Sequence, residues 1–257
     1  MGTFNPFTLE GKTILVTGAS SGIGRGIAIA CSKMGASVIV NGRNEQRLSE
    51  TMSEMEGDDN LSLAADLSDN VALAEMVAKL PKLDGIVHCA GIGQRVLCKQ
   101  LQESDLDNMM NVNFKAPVML QTEILKQKKI NKSASIVFIA SIACDSPTIG
   151  NAMYSASKGA IISYANCLAL ELAPRLIRVN CILPAMIWTD LIFKGGITEE
   201  ELREDEKKYP LKRYGKPEDI ANLSIYLLSD ASSWMSGSSI RITGGDCLKT
   251  HSSQNVS

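Results

Sequence analysis

The sequence predicts one α/β domain in which a seven-stranded parallel sheet is doubly wound, with helices on both faces. Short apolar runs alternate with longer helical stretches, and no Pro- or Gly-rich linker interrupts the alternation. With 257 residues, of which 45% are hydrophobic, the chain is long enough to bury a substantial core. We expect residues 1–247 to form this single domain and the polar tail 248–257 to be flexible.

Seven short apolar runs are the predicted strands. Because helical stretches separate them, the strands should be parallel, buried on both faces and joined by right-handed crossovers. They are, in order, TILVT (13–17), SVIVN (37–41), LSLAAD (61–66), GIVHCA (85–90), SIVFIAS (135–141), IRVNCIL (177–183) and SIRIT (239–243). The predicted helices cover small residues up to about Met34, then about 44–55, 70–80, a stretch from about Ser104, 152–173 and 217–229.

Two insertions interrupt this alternation, at 91–100 after the fourth strand and at 185–210 after the sixth. Both follow the carboxyl end of a strand, which is the edge of an open α/β sheet where ligands bind. The second insertion has a charged helical centre between Thr198 and Lys208. It could be a solvated loop, but its position favours a lid over a substrate, and we call residues 185–210 the lid.

The composition argues against several classes of protein. A net charge of −2 lacks the basic excess of nucleic-acid-binding proteins. No apolar run approaches the roughly 20 residues of a membrane span, and the polar start MGTFNPFTLEGK does not resemble a signal peptide. Seven cysteines show neither CxxC pairs nor metal-ligand spacing, and their odd number suits reduced thiols. We expect a cytoplasmic protein with no metal and with neither nucleic acid nor membrane as a partner.

The segment LVTGASSGIGRG, residues 15–26, lies where the first strand turns into its helix. Gly18, Gly22 and Gly24 allow unusual backbone angles there, and they let phosphate oxygens approach the backbone N–H groups of a helix N-terminus. Their GxxxGxG spacing differs by one residue from the common GxGxxG pattern, and a plain surface turn is the alternative. The position after the first strand of an alternating pattern favours a nucleotide phosphate.

The end of the second strand favours NADP over NAD as the cofactor. An acid in this place usually binds the ribose hydroxyl of NAD. Here the strand ends in Asn41-Gly42-Arg43, and the first acid, Glu45, already belongs to the next helix. An arginine without a competing carboxylate can bind a 2′-phosphate through a forked, charge-assisted hydrogen bond. The alternative is that Arg43 is simply an exposed residue at the start of a helix.

The segment YSASK places Tyr154 and Lys158 four residues apart on a predicted helix, so that their side chains share one face. The spacing alone is not specific, but the pair has a chemical use. A phenol is too weak an acid for efficient catalysis at neutral pH, and a neighbouring ammonium would lower its pKa. Ser141 ends the fifth strand at the same predicted edge, and Asn113 lies in the preceding helix.

Taken together, these segments resemble the short-chain dehydrogenase/reductase family over about residues 8–245. Within that family, residues 213–245 are most similar to the β-ketoacyl-acyl-carrier-protein reductase branch. The resemblance implies a Rossmann-type fold and an NAD(P)-dependent oxidoreductase. The matching motifs are TGASSGIG (17–24), ADL (65–67), CAG (89–91), NVNF (111–114), Ser141, YSASK (154–158) and IRVNCILPAMIWT (177–189).

The resemblance implies four catalytic residues. Tyr154 would protonate the carbonyl oxygen as hydride arrives from the nicotinamide. Lys158 would lower the pKa of Tyr154 and hold the nicotinamide ribose. Ser141 would donate a hydrogen bond to the substrate carbonyl, and Asn113 would anchor a water behind Lys158.

The resemblance also implies a set of cofactor contacts. Besides Tyr154 and Lys158, the phosphate-binding turn would comprise Gly18, Ser20, Ser21, Gly22, Ile23 and Gly24, and Arg43 would bind the 2′-phosphate. Asp66 and Leu67 would contact the adenine, and the backbone of Cys89, Ala90 and Gly91 would line the adenosine ribose. Ile187 and Thr189 would bind the carboxamide.

The chain departs from the family pattern outside the four catalytic positions. The usual Asn-Asn-Ala-Gly is His88-Cys89-Ala90-Gly91 here, and we interpret His88 as structural because it lies inside an apolar strand. Many NADP-dependent relatives carry an arginine where this chain has Ser21, which leaves Arg43 as the main phosphate ligand. The usual Pro-Gly after the sixth strand is Pro184-Ala185, and the usual Asp-Gly-Gly near the end begins with Thr243.

The substrate is suggested by two groups of residues. Lys128, Lys129 and Arg175 match the segments that dock an acyl carrier protein in ketoacyl reductases, although KQKKINK (126–132) could equally be a solvated helix end. Several large apolar residues of the lid suit an acyl chain or another apolar ketone, unless they pack onto the protein. These lid residues are Trp188, Leu191, Ile192 and Phe193.

We therefore expect an NADPH-dependent reductase of a 3-oxoacyl thioester, with tyrosine as the general acid. Two alternatives stay open: the same chemistry on a sugar, polyol, steroid or other small alcohol or ketone, and a non-catalytic NADP-binding regulator. The intact catalytic set argues against the regulator. Relatives are usually tetramers that pair through the helices near 104–128 and 152–173, and the small Ser155, Ala156 and Gly159 would allow such a homotetramer here.

Overall fold

A computed structural model describes residues 5–195 and 197–246 of the chain. All seven predicted strands are present, and every pair of neighbouring strands is parallel. The predicted tail 248–257 lies outside the described residues. The strands are β1 (Thr13–Thr17), β2 (Ser37–Gly42), β3 (Leu61–Ala64), β4 (Leu83–His88), β5 (Ile130–Ile139), β6 (Arg178–Pro184) and β7 (Ser239–Ile242).

Eight α-helices connect these strands in the described ranges. They are α1 (Gly22–Lys33), α2 (Glu45–Ser53), α3 (Asn70–Lys79), α4 (Glu103–Met110), α5 (Ala116–Lys126), α6 (Ala152–Leu172), α7 (Glu199–Glu206) and α8 (Pro217–Leu228). None of the helices in this part of the chain combines the length and the apolar character that a membrane span requires.

The strand order is β3-β2-β1-β4-β5-β6-β7, so the direction of winding reverses between β1 and β4. At such a point the following helices leave on opposite faces of the sheet, and a crevice opens beyond the carboxyl ends of the strands. The register pairs Val16 of β1 with both Val40 and Val87. The loops after β1 and β4 therefore meet at this crevice.

The core consists of two layers, one on each face of the sheet. Successive strand residues alternate between them, so that Leu15 packs with α3, α5 and α6 while Val16 packs with α1 and α8. The doubly wound seven-stranded fold predicted from the sequence is thus confirmed. The inner strands are largely buried because helices cover both layers, whereas the edge strands β3 and β7 are largely exposed, contrary to the expectation that all seven would be buried.

Several element boundaries differ from the predicted ones. β4 ends at His88 and β5 at Ile139, so Cys89 and Ser141 lie in the loops beyond the strands. β5 begins five residues earlier than predicted, because Leu83 pairs with Ile130 before a register shift. The predicted lid helix is α7, whose first turn is capped by Thr198.

The helix predicted from about Ser104 is divided by a π-helical turn, Asn111–Lys115, between α4 and α5. A π-turn widens the helix by one residue and usually marks a functional site, because the wider turn costs regular hydrogen bonds. Here it contains Asn113, one of the residues expected in the active site.

Candidate active site

Tyr154 and Ser141 meet at the carboxyl edge of the sheet. Tyr154 lies in the first turn of α6, and Ser141 follows β5 and caps the short helical turn Ile142–Cys144. Ser141 Oγ accepts a hydrogen bond from the Ala143 N–H at 3.1 Å, which fixes the orientation of the hydroxyl group. Burial raises the pKa of Tyr154, while a hydrogen bond with Ser141 acts in the opposite direction.

Lys158 lies one helical turn beyond Tyr154 and is only 6% exposed. Its Nζ donates a hydrogen bond to the Ile139 carbonyl at 2.9 Å, and it lies 5.8 Å from the centre of the Tyr154 ring. Burial lowers the pKa of the ammonium group because the charged form is partly desolvated. The predicted pair therefore shares one helical face.

One expectation about this pair needs correction. The sequence predicts that Lys158 lowers the pKa of Tyr154, but burial outweighs the hydrogen bond with Ser141 and raises this pKa. The Lys158 ammonium group is instead directed to the Ile139 carbonyl. Tyr154 is consequently a protonated phenol at neutral pH.

Asn113 connects the loop after β4 to α6. Its side chain is buried, accepts a hydrogen bond from the Ile92 N–H at 2.8 Å and donates one to the Ile92 carbonyl at 3.0 Å. Its amide also donates to Ser157 Oγ at 3.1 Å, and Ser157 in turn donates to the Tyr154 carbonyl. Ser157 was missed in the sequence, although it stands inside the YSASK motif. The role of Asn113 in anchoring a water stays a prediction.

Gly91 leaves room for this arrangement. A Cβ atom at this position would lie 3.2 Å from Asn113 Oδ1 and 3.5 Å from Lys158 Nζ. The loop after β4 therefore lies against both Asn113 and Lys158.

The glycine-rich turn, residues 17–24, brings the backbone close to the loop after β4. Gly18 has a φ of +68°, and a Cβ there would lie 2.8 Å from Ala90 Cα. A Cβ at Gly24 would lie 2.3 Å from the Gly18 carbonyl oxygen. Both distances are too short for any side chain, so only glycine permits the turn.

The first turn of α1 has the properties of a phosphate site. Ser21 is its N-cap residue, and among the described residues no side chain caps the helix there and no acid stands in its first turn. Backbone N–H groups at a helix N-terminus favour anions. The residues present therefore fit the pyrophosphate of a dinucleotide.

Arg43 does have a carboxylate near it. Its Nη1 lies 3.8 Å from Asp66 Oδ2, a group contributed by the loop after β3, whereas the sequence argument found no competing acid beside β2. Hydrogen bonds from the Ser68 side chain and backbone lower the pKa of Asp66, so this carboxylate is ionised. Because 70% of the Arg43 side chain is exposed, the ion pair is weak and the guanidinium stays accessible.

Thr17 fixes the segment that is expected to line the adenosine ribose. Its Oγ1 accepts hydrogen bonds from the N–H groups of Cys89 and Ala90, at 3.0 and 3.1 Å. Leu67, which the resemblance pairs with Asp66, is buried. Thr17 was missed as a functional residue, although it opens the TGASSGIG motif.

The base of the lid lies over the glycine-rich turn. Thr189 Cγ2 would be 3.1 Å from a Cβ on Gly22, and Ile187 is buried beside β6. Of the two residues expected at the carboxamide, Thr189 lies next to the phosphate-binding turn, whereas Ile187 packs against Gly215.

The expected apolar face of the lid is divided in two. Trp188 and Ile192 pack into a small core with Leu202, whereas Leu191 and Phe193 remain 38% and 43% exposed. Leu191 faces the other insertion, because its Cδ1 would lie 3.5 Å from a Cβ on Gly93. The prediction that all four residues form one substrate-facing surface is therefore wrong for Trp188 and Ile192.

His88 is a core residue, in agreement with the structural interpretation. Its Nε2 lies 3.1 Å from Gln121 Oε1, and its ring stacks on Phe138 with centroids 4.4 Å apart. Burial lowers its pKa to about 4. The ring is neutral at physiological pH and lies beneath the active-site loops.

The basic residues expected beside the mouth of the active site lie elsewhere. Lys129 Nζ donates hydrogen bonds to the carbonyls of Ala78 and Leu80, and Arg175 Nη2 donates to the Ile130 carbonyl. These contacts lie where β5 and β6 begin, at the edge opposite to Tyr154. Within one chain, Lys129 binds the end of α3 and Arg175 binds the start of β5, so neither borders the mouth, and the exposed Lys128 lies beside them.

Comparisons with known proteins agree with this geometry. A family model described as enoyl-(acyl carrier protein) reductase matches residues 18–246. The 3-oxoacyl-[acyl-carrier-protein] reductase of Rickettsia felis is 35% identical over 237 residues, which cover 92% of this chain and 97% of that protein.

Two solved structures show the same fold with a bound nicotinamide cofactor. One is a candidate NAD(P)-dependent gluconate 5-dehydrogenase from Beutenbergia cavernae with bound NADP, 30% identical, with a TM-score of 0.85 over 95% of this chain and 100% of that one. The other is the 3-ketoacyl-(acyl-carrier-protein) reductase of Brucella melitensis complexed with NADH, 29% identical, with a TM-score of 0.83 over 93% of this chain and 99% of that one.

The fold and the site define a nicotinamide-dependent oxidoreductase built on a doubly wound sheet. The chain belongs to the short-chain dehydrogenase/reductase family.

Proposed function

We propose that this protein uses NADPH to reduce a ketone to a secondary alcohol, and that its substrate is a 3-oxoacyl thioester. The observation that carries the proposal is the position of Ser141, Tyr154 and Lys158 at the same sheet edge as the glycine-rich turn. NADPH, when bound, supplies the hydride.

The residues of the chain would supply and direct the proton. The Ser141 hydroxyl would donate a hydrogen bond to the substrate carbonyl oxygen and orient it. Tyr154 would then transfer its phenolic proton to that oxygen, so that the hydride and the proton together convert C=O to CH–OH. Because burial raises the pKa of Tyr154, its acid form persists through neutral pH, and reduction should slow only under strongly alkaline conditions.

Lys158 and Asn113 would support this proton transfer. Lys158, one helical turn beyond Tyr154, would hold the nicotinamide ribose beside the phenol. Asn113 and Ser157 hold the backbone of α6 against the loop after β4, which keeps Tyr154 in position.

A preference for NADP over NAD is part of the proposal. It is supported by the exposed guanidinium of Arg43 near the end of β2, where a 2′-phosphate could pair with it. One structural relative contains NADP and another contains NADH, so the relatives favour neither cofactor. The proposed preference for NADP therefore rests on Arg43.

The substrate class is supported by the relatives named 3-oxoacyl-[acyl-carrier-protein] reductase and by the exposed Leu191 and Phe193 near the mouth. An acyl carrier protein would then be the partner that delivers the substrate. A second candidate is the same reaction on a sugar acid, which is favoured by the structural likeness to a gluconate 5-dehydrogenase.

We also propose that residues 1–247 act as one domain in a cytoplasmic homotetramer. The cysteines in the described ranges are unpaired, as expected in a reducing compartment. Exposed small side chains such as Ala156, together with Leu170, leave α6 suitable for close packing against another copy.

The deciding experiment is a turnover screen with NADPH and NADH, in which cofactor absorbance is followed with acetoacetyl-CoA and with a panel of sugars and cyclic ketones. Activity on the thioester alone supports the proposal, and activity on a sugar alone supports the second candidate. Tight binding of NADPH without turnover of any ketone would contradict both.

A further inference from the structure

We propose that Glu206, the last residue of α7, is a positioning residue that fixes the base of the lid against the cofactor site. Its Oε1 accepts a hydrogen bond from Trp188 Nε1 at 2.8 Å and another from the Tyr214 N–H at 2.9 Å. One carboxylate therefore joins the lid helix to the segment after β6 and to the segment before α8. The inference rests on the proposed function, because it concerns the placement of residues that would contact NADPH.

The surroundings of Glu206 make this contact stronger than an ordinary surface pair. Its side chain is 14% exposed, whereas that of Glu204 on the same helix is 70% exposed. The Arg203 guanidinium lies 4.4 Å above the Trp188 ring, and its Nη1 is 3.5 Å from Glu206 Oε2. The indole is therefore held at its edge by a carboxylate and on its face by a cation.

The ionisation of Glu206 is consistent with this contact. Partial burial acts to raise its pKa, but the hydrogen bonds from Trp188 and Tyr214 outweigh burial and keep the pKa below its ordinary range. The group is consequently a carboxylate at neutral pH and accepts both hydrogen bonds.

The position of Trp188 determines that of its two neighbours. The backbone N–H of Trp188 donates to the Gly215 carbonyl at 2.9 Å, and the neighbouring Ile187 pairs with Gly215 in a parallel bridge. Thr189 reaches the glycine-rich turn beside Gly22. Because Ile187 and Thr189 flank Trp188, a displaced indole would move both residues relative to the turn that binds the pyrophosphate.

A purely stabilising contact would behave differently from a positioning contact. Loss of stability alone would reduce the amount of active enzyme and leave the Michaelis constant for NADPH unchanged. A displaced Thr189 would weaken NADPH binding, while Ser141 and Tyr154, which lie on other elements, would keep their rate constant.

The first test uses the fluorescence of Trp188. The chain has two tryptophans, and Trp234 is 100% exposed, so Trp234→Phe leaves a single reporter. In that background we expect Glu206→Ala to shift the emission to longer wavelength and to increase quenching by acrylamide. Glu206→Gln should retain most of the native signal, because its amide oxygen still accepts both N–H groups. Glu204→Ala is the matched control and should change nothing.

The second test measures NADPH kinetics and binding for the same variants. We expect Glu206→Ala to raise the Michaelis and dissociation constants for NADPH by about tenfold, with kcat changed by less than about threefold. Urea unfolding identifies any variant that fails to fold. If Glu206→Ala does so, Trp188→Phe, which removes the indole N–H that Glu206 accepts, takes its place in the kinetic test and should raise the Michaelis constant for NADPH in the same way. An unchanged Michaelis constant, or a change equal to that of Glu204→Ala, would overturn the proposal.

The two proposals can fail separately. If the unmodified protein neither binds nor oxidises NADPH, the proposed function fails, and the placement of Trp188 by Glu206 is then decided by fluorescence alone. If NADPH is used but Trp188 emission is the same in Glu206→Ala and in the control, the inference about Glu206 fails and the proposed function stands.

Discussion

The carboxyl edge of the sheet and the lid are built by different means. At the sheet edge, the positions of Gly18 and Gly24 are set by backbone contacts that leave no room for a Cβ atom. In the lid, the contacts are between side chains: Trp188 with Glu206 and Arg203. The difference shows that the cofactor turn tolerates almost no substitution, whereas the lid can change its contacts without changing the fold.

The largest effect is expected from removing the acid at the sheet edge. Tyr154→Phe should lower kcat by about 10³-fold, because the proton donor is lost, and it should leave the dissociation constant for NADPH nearly unchanged. The lid counterpart, Leu191→Ala, should change the Michaelis constant for an apolar ketone much more than kcat. Steady-state kinetics and NADPH titration measure both. Full activity of Tyr154→Phe would contradict the assignment of catalysis to the sheet edge and of substrate binding to the lid.

The next largest effect concerns the free energy of unfolding and comes from His88, the buried last residue of β4. The pKa of His88 is lowered to about 4 in the folded protein, so the unfolded chain binds this proton first as the pH falls. The contribution of the neutral ring is complete above pH ~6.5 and decreases towards pH ~4, by a total of about 3 kcal/mol.

The measurement is urea unfolding at several pH values for the native protein and for His88→Asn. The variant should show a flatter dependence on pH over this range, even if its overall stability is lower. Parallel curves for the two proteins would show that His88 does not titrate as its buried position requires.

A smaller effect is expected from steric crowding in the glycine-rich turn. Gly24→Ala would place a methyl group 2.3 Å from the Gly18 carbonyl oxygen, and we expect a loss of unfolding free energy of about 2 kcal/mol together with weaker NADPH binding. Gly57→Ala is the control: its φ is +85°, but no atom lies within 4 Å of the new methyl group. That variant should lose only about 1 kcal/mol and bind NADPH normally. Equal NADPH affinity in both would contradict the role of the turn.

The smallest effect is expected at Arg43, the exposed residue of the cofactor region. Arg43→Ala should weaken NADPH by about tenfold and leave NADH nearly unchanged, because only NADPH carries the 2′-phosphate. Asp66→Asn should act in the opposite direction, since it removes the carboxylate that lies 3.8 Å from the guanidinium. Isothermal titration with both cofactors provides the comparison. Equal losses for NADPH and NADH would show that Arg43 does not contact the phosphate.

The seven parallel strands, and the grouping of Ser141, Tyr154 and Lys158 at one edge of the sheet, could be predicted because they depend on local patterns. Alternating apolar runs determine a parallel sheet, and residues that follow parallel strands must meet at one edge, as Ser141 and the glycine-rich turn do. The i, i+4 spacing was enough to place Tyr154 and Lys158 on one face of α6.

The remaining features depend on contacts between distant parts of the chain. No local pattern indicates that Thr17 accepts hydrogen bonds from residues 89 and 90, or that Asp66 approaches Arg43. The raised pKa of Tyr154 depends on how deeply the whole fold buries the phenol, and this overrides the expected influence of Lys158. The basic residues matched to carrier-protein docking were misplaced because a motif does not reveal which edge of the sheet a loop occupies.

The π-helical turn Asn111–Lys115 also sets the angular phase of the helix that follows it. Because the wider turn takes up one additional residue, every later side chain lies about 100° around the helix axis from the position that an unbroken α-helix of the same sequence would give it. Gln121 therefore points at His88 only because the turn is present. If residues 111–115 instead formed a regular α-helical turn with no residue removed, Gln121 would rotate out of register and leave the imidazole without its partner, so the extra residue and the wide turn have to occur together.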